Sequence, residues 1–116
     1  MTGGLGNSDV CGSQHWGDVC NVDLGNNYRC IPRPSDDNFH TYAARWGFNK
    51  NGSPYIIWFI DGVEFGRDEP AAAPIVDAMA MVLNTALSAN GNGSPGVDEN
   101  GVTHRIDWVR LWKGSQ

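Results

Sequence analysis

A chain of 116 residues with 41% hydrophobic content, 15 glycines, 6 prolines and 5 tryptophans is long enough for one small ordered domain, and its turn-rich makeup points to an all-β class. A formal net charge of -5, with Lys and Arg nowhere concentrated, argues against a phosphate-binding surface, so nucleic acid is not an expected partner. No apolar run approaches the roughly 20 residues that cross a bilayer, and Met1 to Gly4 has neither the charged nor the apolar region of a signal peptide. The reading is a soluble chain with no membrane partner and no export signal of its own.

Met1 to Asp9 is glycine-rich and shows no period. Val10 to Trp16, VCGSQHW, reads as a short strand with Cys11, Ser13 and His15 on one side and Gly12, Gln14 and Trp16 on the other. Both faces carry polar groups, which suits a sheet edge or the floor of a wet cleft. Gly17 to Asn38 is dense in Gly, Asn, Asp and Pro and reads as one long loop, of a length that is functional or clipped by disulfides. The three cysteines include no C-x-x-C pair, which disfavours zinc. Two readings stand side by side: reduced buried thiols, or a Cys20–Cys30 bridge closing the loop and leaving Cys11 over.

Phe39 to Trp46, FHTYAARW, is the next expected strand, with His40, Tyr42, Ala44 and Trp46 on one face. A turn over Gly47 to Pro54 contains the glycosylation sequon Asn51-Gly52-Ser53. Tyr55 to Arg67, YIIWFIDGVEFGR, is the clearest element: two runs of β-branched and aromatic residues flank Asp61-Gly62, a dipeptide suited to the positive φ angles of a type I′ turn. Pairing outward from that turn sets Ile60 against Val63, Trp58 against Phe65 and Ile57 against Gly66. Ile56, Trp58, Ile60, Val63 and Phe65 then form an uncharged face that must be covered. Because the first arm is apolar on both sides, it belongs in the middle of a sheet.

Gly66 to Pro74 reads as a loop and Ile75 to Ala78 as a single helical turn. Met79 to Leu87, MAMVLNTAL, has strand length, interrupted by Asn84, whose amide needs a buried partner or a solvated groove. Ser88 to Thr103 is a second Gly/Asn-rich loop. His104 to Lys113, HRIDWVRLWK, reads as a closing strand, apolar on both faces. Trp46, Trp58 and Trp108 are expected in the core. The whole is one domain over residues 1–116, of about six antiparallel strands.

Four blocks in fixed order, FHTYAARW, YIIWFIDGVEFGR, MVLNTAL and RIDWVRLWK, resemble the C-terminal half of glycoside hydrolase family 16, the laminarinase- and lichenase-like enzymes. Ser13 to Gly17, SQHWG, is similar to a strand that follows that family's catalytic motif. The resemblance implies an incomplete concanavalin A-like β-jelly-roll sandwich, a polysaccharide or oligosaccharide as partner, an extracellular parent protein, and retaining hydrolysis of O-glycosyl bonds in a β-glucan or galactan. Two glutamates of an E-x-D-x-x-E strand would carry that chemistry, since alternate strand residues share a face. That motif does not occur here: Glu64, Glu69 and Glu99 are not followed by the required Asp. The expectation is a piece starting downstream of the catalytic strand, inactive alone, its apolar face completed by the missing N-terminal part or by self-association. A non-catalytic carbohydrate-binding or lectin-like sandwich is the alternative.

The resemblance also implies site residues. Gln14, His15 and Trp16 would line a sugar cleft, with Trp16 stacking on a pyranose face. Asn84 would fall near the concave sheet, although Thr85 to Asn90 replaces that family's glycine pair. Asp107 would contribute to a structural calcium site, which wants six to eight oxygens; a salt bridge to Arg105 or Arg110 is the competing role. No other cofactor is implied.

Overall fold

The computed structural model describes residues 9–17, 25–76, 79–84 and 103–114. Among the described residues the fold is all-β, with five strands and no helix: β1 (Asp9–Trp16), β2 (Gly25–Pro32), β3 (Tyr42–Phe48), β4 (Pro54–Ile60) and β5 (Val63–Asp68). Antiparallel β1 and β2 form one sheet, and β3-β4-β5 form a second, antiparallel sheet with β4 in its centre.

β4 is central because its residues are apolar on both sides, as the sequence reading required. Ile56, Trp58 and Ile60 are buried on one side and Ile57 on the other. Arg45 and Arg67 flank Ile57 in the two ladders, so aliphatic stems cover it while their charges reach solvent. The β4–β5 turn has the expected chemistry, with φ of 51° at Asp61 and 80° at Gly62. Outward from that turn, Ile60 faces Val63 and Phe59 faces Glu64, after which a bulge shifts the register. Trp58 therefore faces Gly66, not Phe65, and Ile57 faces Arg67, not Gly66. The extra residue makes room, since Gly66 lies directly beneath the Arg29 stem, where a side chain of its own would collide.

The sheets meet through Trp58. Its indole lies against Gly12 of β1, occupying the space that a β-carbon there would need. The ring is 2% exposed and shares a cluster with Ile56, Ala71, Phe65 and Ile75. Beside this contact Arg29 of β2 forms an ion pair of 2.5 Å with buried Asp68 of β5, and its Nε donates to the Arg67 carbonyl at 3.4 Å. Gln14 Nε2 donates to the Ala73 carbonyl at 2.5 Å, drawing the segment after β5 under the β1–β2 hairpin. Covering stops at β4. Tyr42, Ala44 and Trp46 lie opposite Ile60, Trp58 and Ile56 and so point to the same side of the sheet. They are nevertheless exposed, because the hairpin sits over β4 and not over β3.

Several expectations are corrected. Gly17 to Asn38 is not one loop: β2 runs through it, held in register by a Cys11–Cys30 disulfide between directly opposed residues. That bond overturns both sequence readings for Cys11 and Cys30, the reduced buried thiols and the Cys20–Cys30 bridge, and Cys20 itself lies outside the described residues. β3 begins at Tyr42 instead of Phe39, since His40 and Thr41 bond to Asp61. Within the expected strand Met79 to Leu87, the described residues 79–84 are irregular and exposed; residues 85–87 lie outside the description, as do Asp77 and Ala78 of the expected helical turn. His104 to Lys113 is likewise irregular and exposed, with Trp108 at 46%. An apolar run becomes a strand only when a neighbouring strand takes up its N–H and C=O groups, and among the described residues neither run joins one of the two sheets. Trp58 alone of the three expected core tryptophans is buried, Trp46 being 41% exposed.

Candidate functional site

β1 separates the residues that its sequence groups together. Strand alternation sends Gln14 inward with Gly12 and sends His15 outward. Gln14 is 7% exposed, its amide nitrogen on the Ala73 carbonyl and its Oε1 buried without a hydrogen-bond partner. Trp16 is half-buried, with its ring over Gly25, its partner across the ladder. His15 is exposed and meets Tyr28 of β2 edge-to-face, ring centroids 5.6 Å apart and planes at 88°. Tyr28 Oη lies 3.5 Å from His15 Nε2 and Tyr28 is 48% exposed. Of the residues named for a sugar site, His15 therefore stands on the outer face of the disulfide-bonded hairpin and Gln14 on the inner one. Asn84 and Asp107 are exposed on the irregular stretches 79–84 and 103–114, and the Arg110 guanidinium lies over the Trp108 ring at 4.8 Å.

The sequence reading places Tyr28 in a loop and so does not single it out. The signal was present, since Asn27, Arg29 and Ile31 alternate with Tyr28 and Cys30, but surrounding Gly and Asn residues masked it. What brings the pair together is the register that the disulfide fixes. Cys11–Cys30 holds β1 against β2 two residues from Ser13↔Tyr28, so the diagonal His15–Tyr28 contact follows from the register.

Glu64 of β5 and Glu69 just after it are engaged by one arginine. Arg67 bonds Glu64 through Nε at 2.6 Å and Nη2 at 2.9 Å, and Glu69 through Nη1 at 2.7 Å. Glu69 also accepts from Asn49 Nδ2 at 2.5 Å. The Arg67 hydrogen bonds hold the Glu64 carboxyl below its ordinary value and raise Arg67. A carboxylate stabilised in its ionised form is a poor general acid at neutral pH. Glu99 lies outside the described residues.

A third cluster sits at the β4–β5 turn, where His40 bridges Asp61 and Asp36. Among the described residues no group of three or more His, Cys, Asp and Glu side chains is arranged to hold a metal ion. No helix among them is long and apolar enough to cross a membrane. Compared with known proteins, the chain matches no family model, no curated protein and no solved structure.

Proposed function

We propose that this chain is a carbohydrate-engaging portion of a jelly-roll sandwich, the C-terminal part of a glycoside hydrolase family 16-like protein that cleaves O-glycosyl bonds in an extracellular β-glucan or galactan. On this reading it contributes binding surface and no hydrolysis of its own. Support for the family comes from the four sequence blocks in order and from an all-β fold whose central strand carries the YIIWFI run that opens the second block. The observation that carries the assignment to binding instead of catalysis is Arg67, which engages Glu64 and Glu69 together. Retaining hydrolysis needs two carboxyl groups about 5–5.5 Å apart, one with a raised pKa, whereas Glu64 is lowered.

His15 and Tyr28 are the proposed contacts, since an exposed ring pair offers an apolar face for a pyranose and polar edges for its hydroxyls. The same pair favours the second reading, a self-contained carbohydrate-binding module without any catalytic partner. Affinity electrophoresis through laminarin, lichenan and agarose tests the binding. Retardation by one of them, weakened about tenfold by Tyr28→Ala, is the expected result, equivalent to ~1.4 kcal/mol. Migration unchanged in all three gels refutes it. A reducing-sugar assay tests the absence of catalysis: release above a buffer control overturns that half of the proposal.

A further inference from the structure

The connection from β2 to β3 ends in an unusual arrangement of charge. His40 Nδ1 lies 2.7 Å from Asp61 Oδ2, and His40 Nε2 lies 2.8 Å from Asp36 Oδ1. Ionised carboxylates only accept hydrogen bonds, and a neutral imidazole has a single N–H to donate. Both contacts are satisfied together only by the imidazolium form, which carries an N–H on each side.

We propose that Asp36, His40 and Asp61 form a proton-dependent latch that ties the connection between the two sheets to the β4–β5 turn and lets Asp36 go when His40 loses a proton. The two sides of the latch are unequal. Asp61 is fixed by the turn itself, and it holds Thr41 independently of any proton: Asp61 Oδ1 accepts from Thr41 N at 2.9 Å, and Asp61 N donates to the Thr41 carbonyl at 2.8 Å. Asp36 is held only by its neighbourhood, its Oδ1 accepting from Asn38 N at 2.8 Å. A neutral His40 therefore keeps Nδ1–H on Asp61 and leaves Nε2 as an acceptor facing the Asp36 carboxylate. That pairing is repulsive.

The surrounding charges agree with this geometry. Asp61 first and Asp36 second raise the His40 pKa above its ordinary 6.5, against an opposing effect of burial. Asp36 is lowered by the Asn38 backbone bond and by His40, and Asp61 by His40 and by the Thr41 backbone bond. The remaining neighbours are Tyr42, at the start of β3, and Arg33, both within electrostatic range of the two carboxylates or of each other. A group raised on folding contributes stability that is complete below its unfolded pKa and is lost as pH rises through its folded pKa. The latch is therefore closed below 6.5 and opens on the alkaline side of it, as pH rises through the raised His40 pKa. On the acid side it persists until the lowered carboxylates protonate, below their ordinary 3.8.

Nitrogen-15 spectra of the histidine rings, followed against pH, test the latch. The expected result is a His40 with both ring nitrogens protonated at pH 6.5 and a titration midpoint above it. Asp36→Asn and Asp61→Asn should each lower that midpoint. Neither threatens the fold, since Asp36 and Asp61 are 47% and 50% exposed, and Asn accepts both the positive φ of the turn and the Thr41 bond. Amide exchange, corrected for intrinsic rates, should show Asn38 losing protection across the His40 midpoint while Thr41 keeps it. A midpoint at or below 6.5, a midpoint unmoved in both variants, or Asn38 and Thr41 responding alike overturns the proposal.

Discussion

A methyl group placed on Gly12 interrogates the contact between the two sheets. Its β-carbon would fall on Cγ, Cδ1 and Cδ2 of Trp58, closer than carbon atoms approach one another, and the indole, 2% exposed, has no solvent side to move into. Replacing Gly by Ala where space allows stabilises by about 0.4–1 kcal/mol through the unfolded chain. Overpacking a filled core costs about 1–3 kcal/mol. Gly12→Ala should therefore destabilise by a net ~1–2 kcal/mol. Trp58→Ala alone should cost about 3–5 kcal/mol, the range for deleting a buried large aromatic. In the double variant the methyl enters space that the indole has left, so the clash disappears and the two costs do not add. A coupling of about 1–3 kcal/mol is expected. Urea unfolding of wild type, both single variants and the double variant, followed by far-UV circular dichroism because one variant removes a tryptophan, gives all four free energies. Additivity within about 0.5 kcal/mol would mean that Gly12 and Trp58 do not touch, and the packing of β1 on β4 would have to be abandoned.

The opposite face of β4 gives a second comparison. Phe59 is only partly covered, faces Glu64 and lies 6.0 Å beneath the Arg45 guanidinium, so Phe59→Ala should cost less than Trp58→Ala in the same urea titration; an equal or larger loss reverses the inward face. Peptide mapping without reduction should recover Cys11 joined to Cys30, and a Cys20–Cys30 peptide as the main product would contradict the β1–β2 register. Removing that bond with Cys11→Ser should cost about 3 kcal/mol by loop entropy for its sequence separation of 19, read as a lower denaturant midpoint; an unchanged midpoint would show that the hairpin does not depend on it.

Elements whose structure follows from local chemistry were legible in the sequence. Asp61-Gly62 supplies the positive φ angles of a two-residue turn, and the doubly apolar run before it has to lie between two other strands, as β4 does. VCGSQHW is a strand for the same local reason, and its two faces divide as its alternation requires. The bulge between Trp58 and Phe59 was not legible. It answers the approach of Arg29 toward Gly66, and Arg29 belongs to another hairpin.

The candidate site divides along the same line. His15 can be chosen from its motif, yet whether it faces solvent or core depends on which side of β1 the second sheet covers. Gln14, its immediate neighbour, is buried for that reason. The His15–Tyr28 and His40–Asp61 contacts join residues distant in the chain: a disulfide places β2 beside β1, and a turn carboxylate reaches back to the residues before β3. By itself, then, the sequence determined the all-β class, the type I′ turn, the central strand and the absence of a glutamate-rich catalytic motif, because each depends on backbone preferences or residue identities within a few positions. Tertiary structure alone decided the cysteine pairing, the inward side of β1 and the exposure of Tyr42 and Trp46. Those depend on which surface one sheet happens to cover on the other, and burial is a property of the pair.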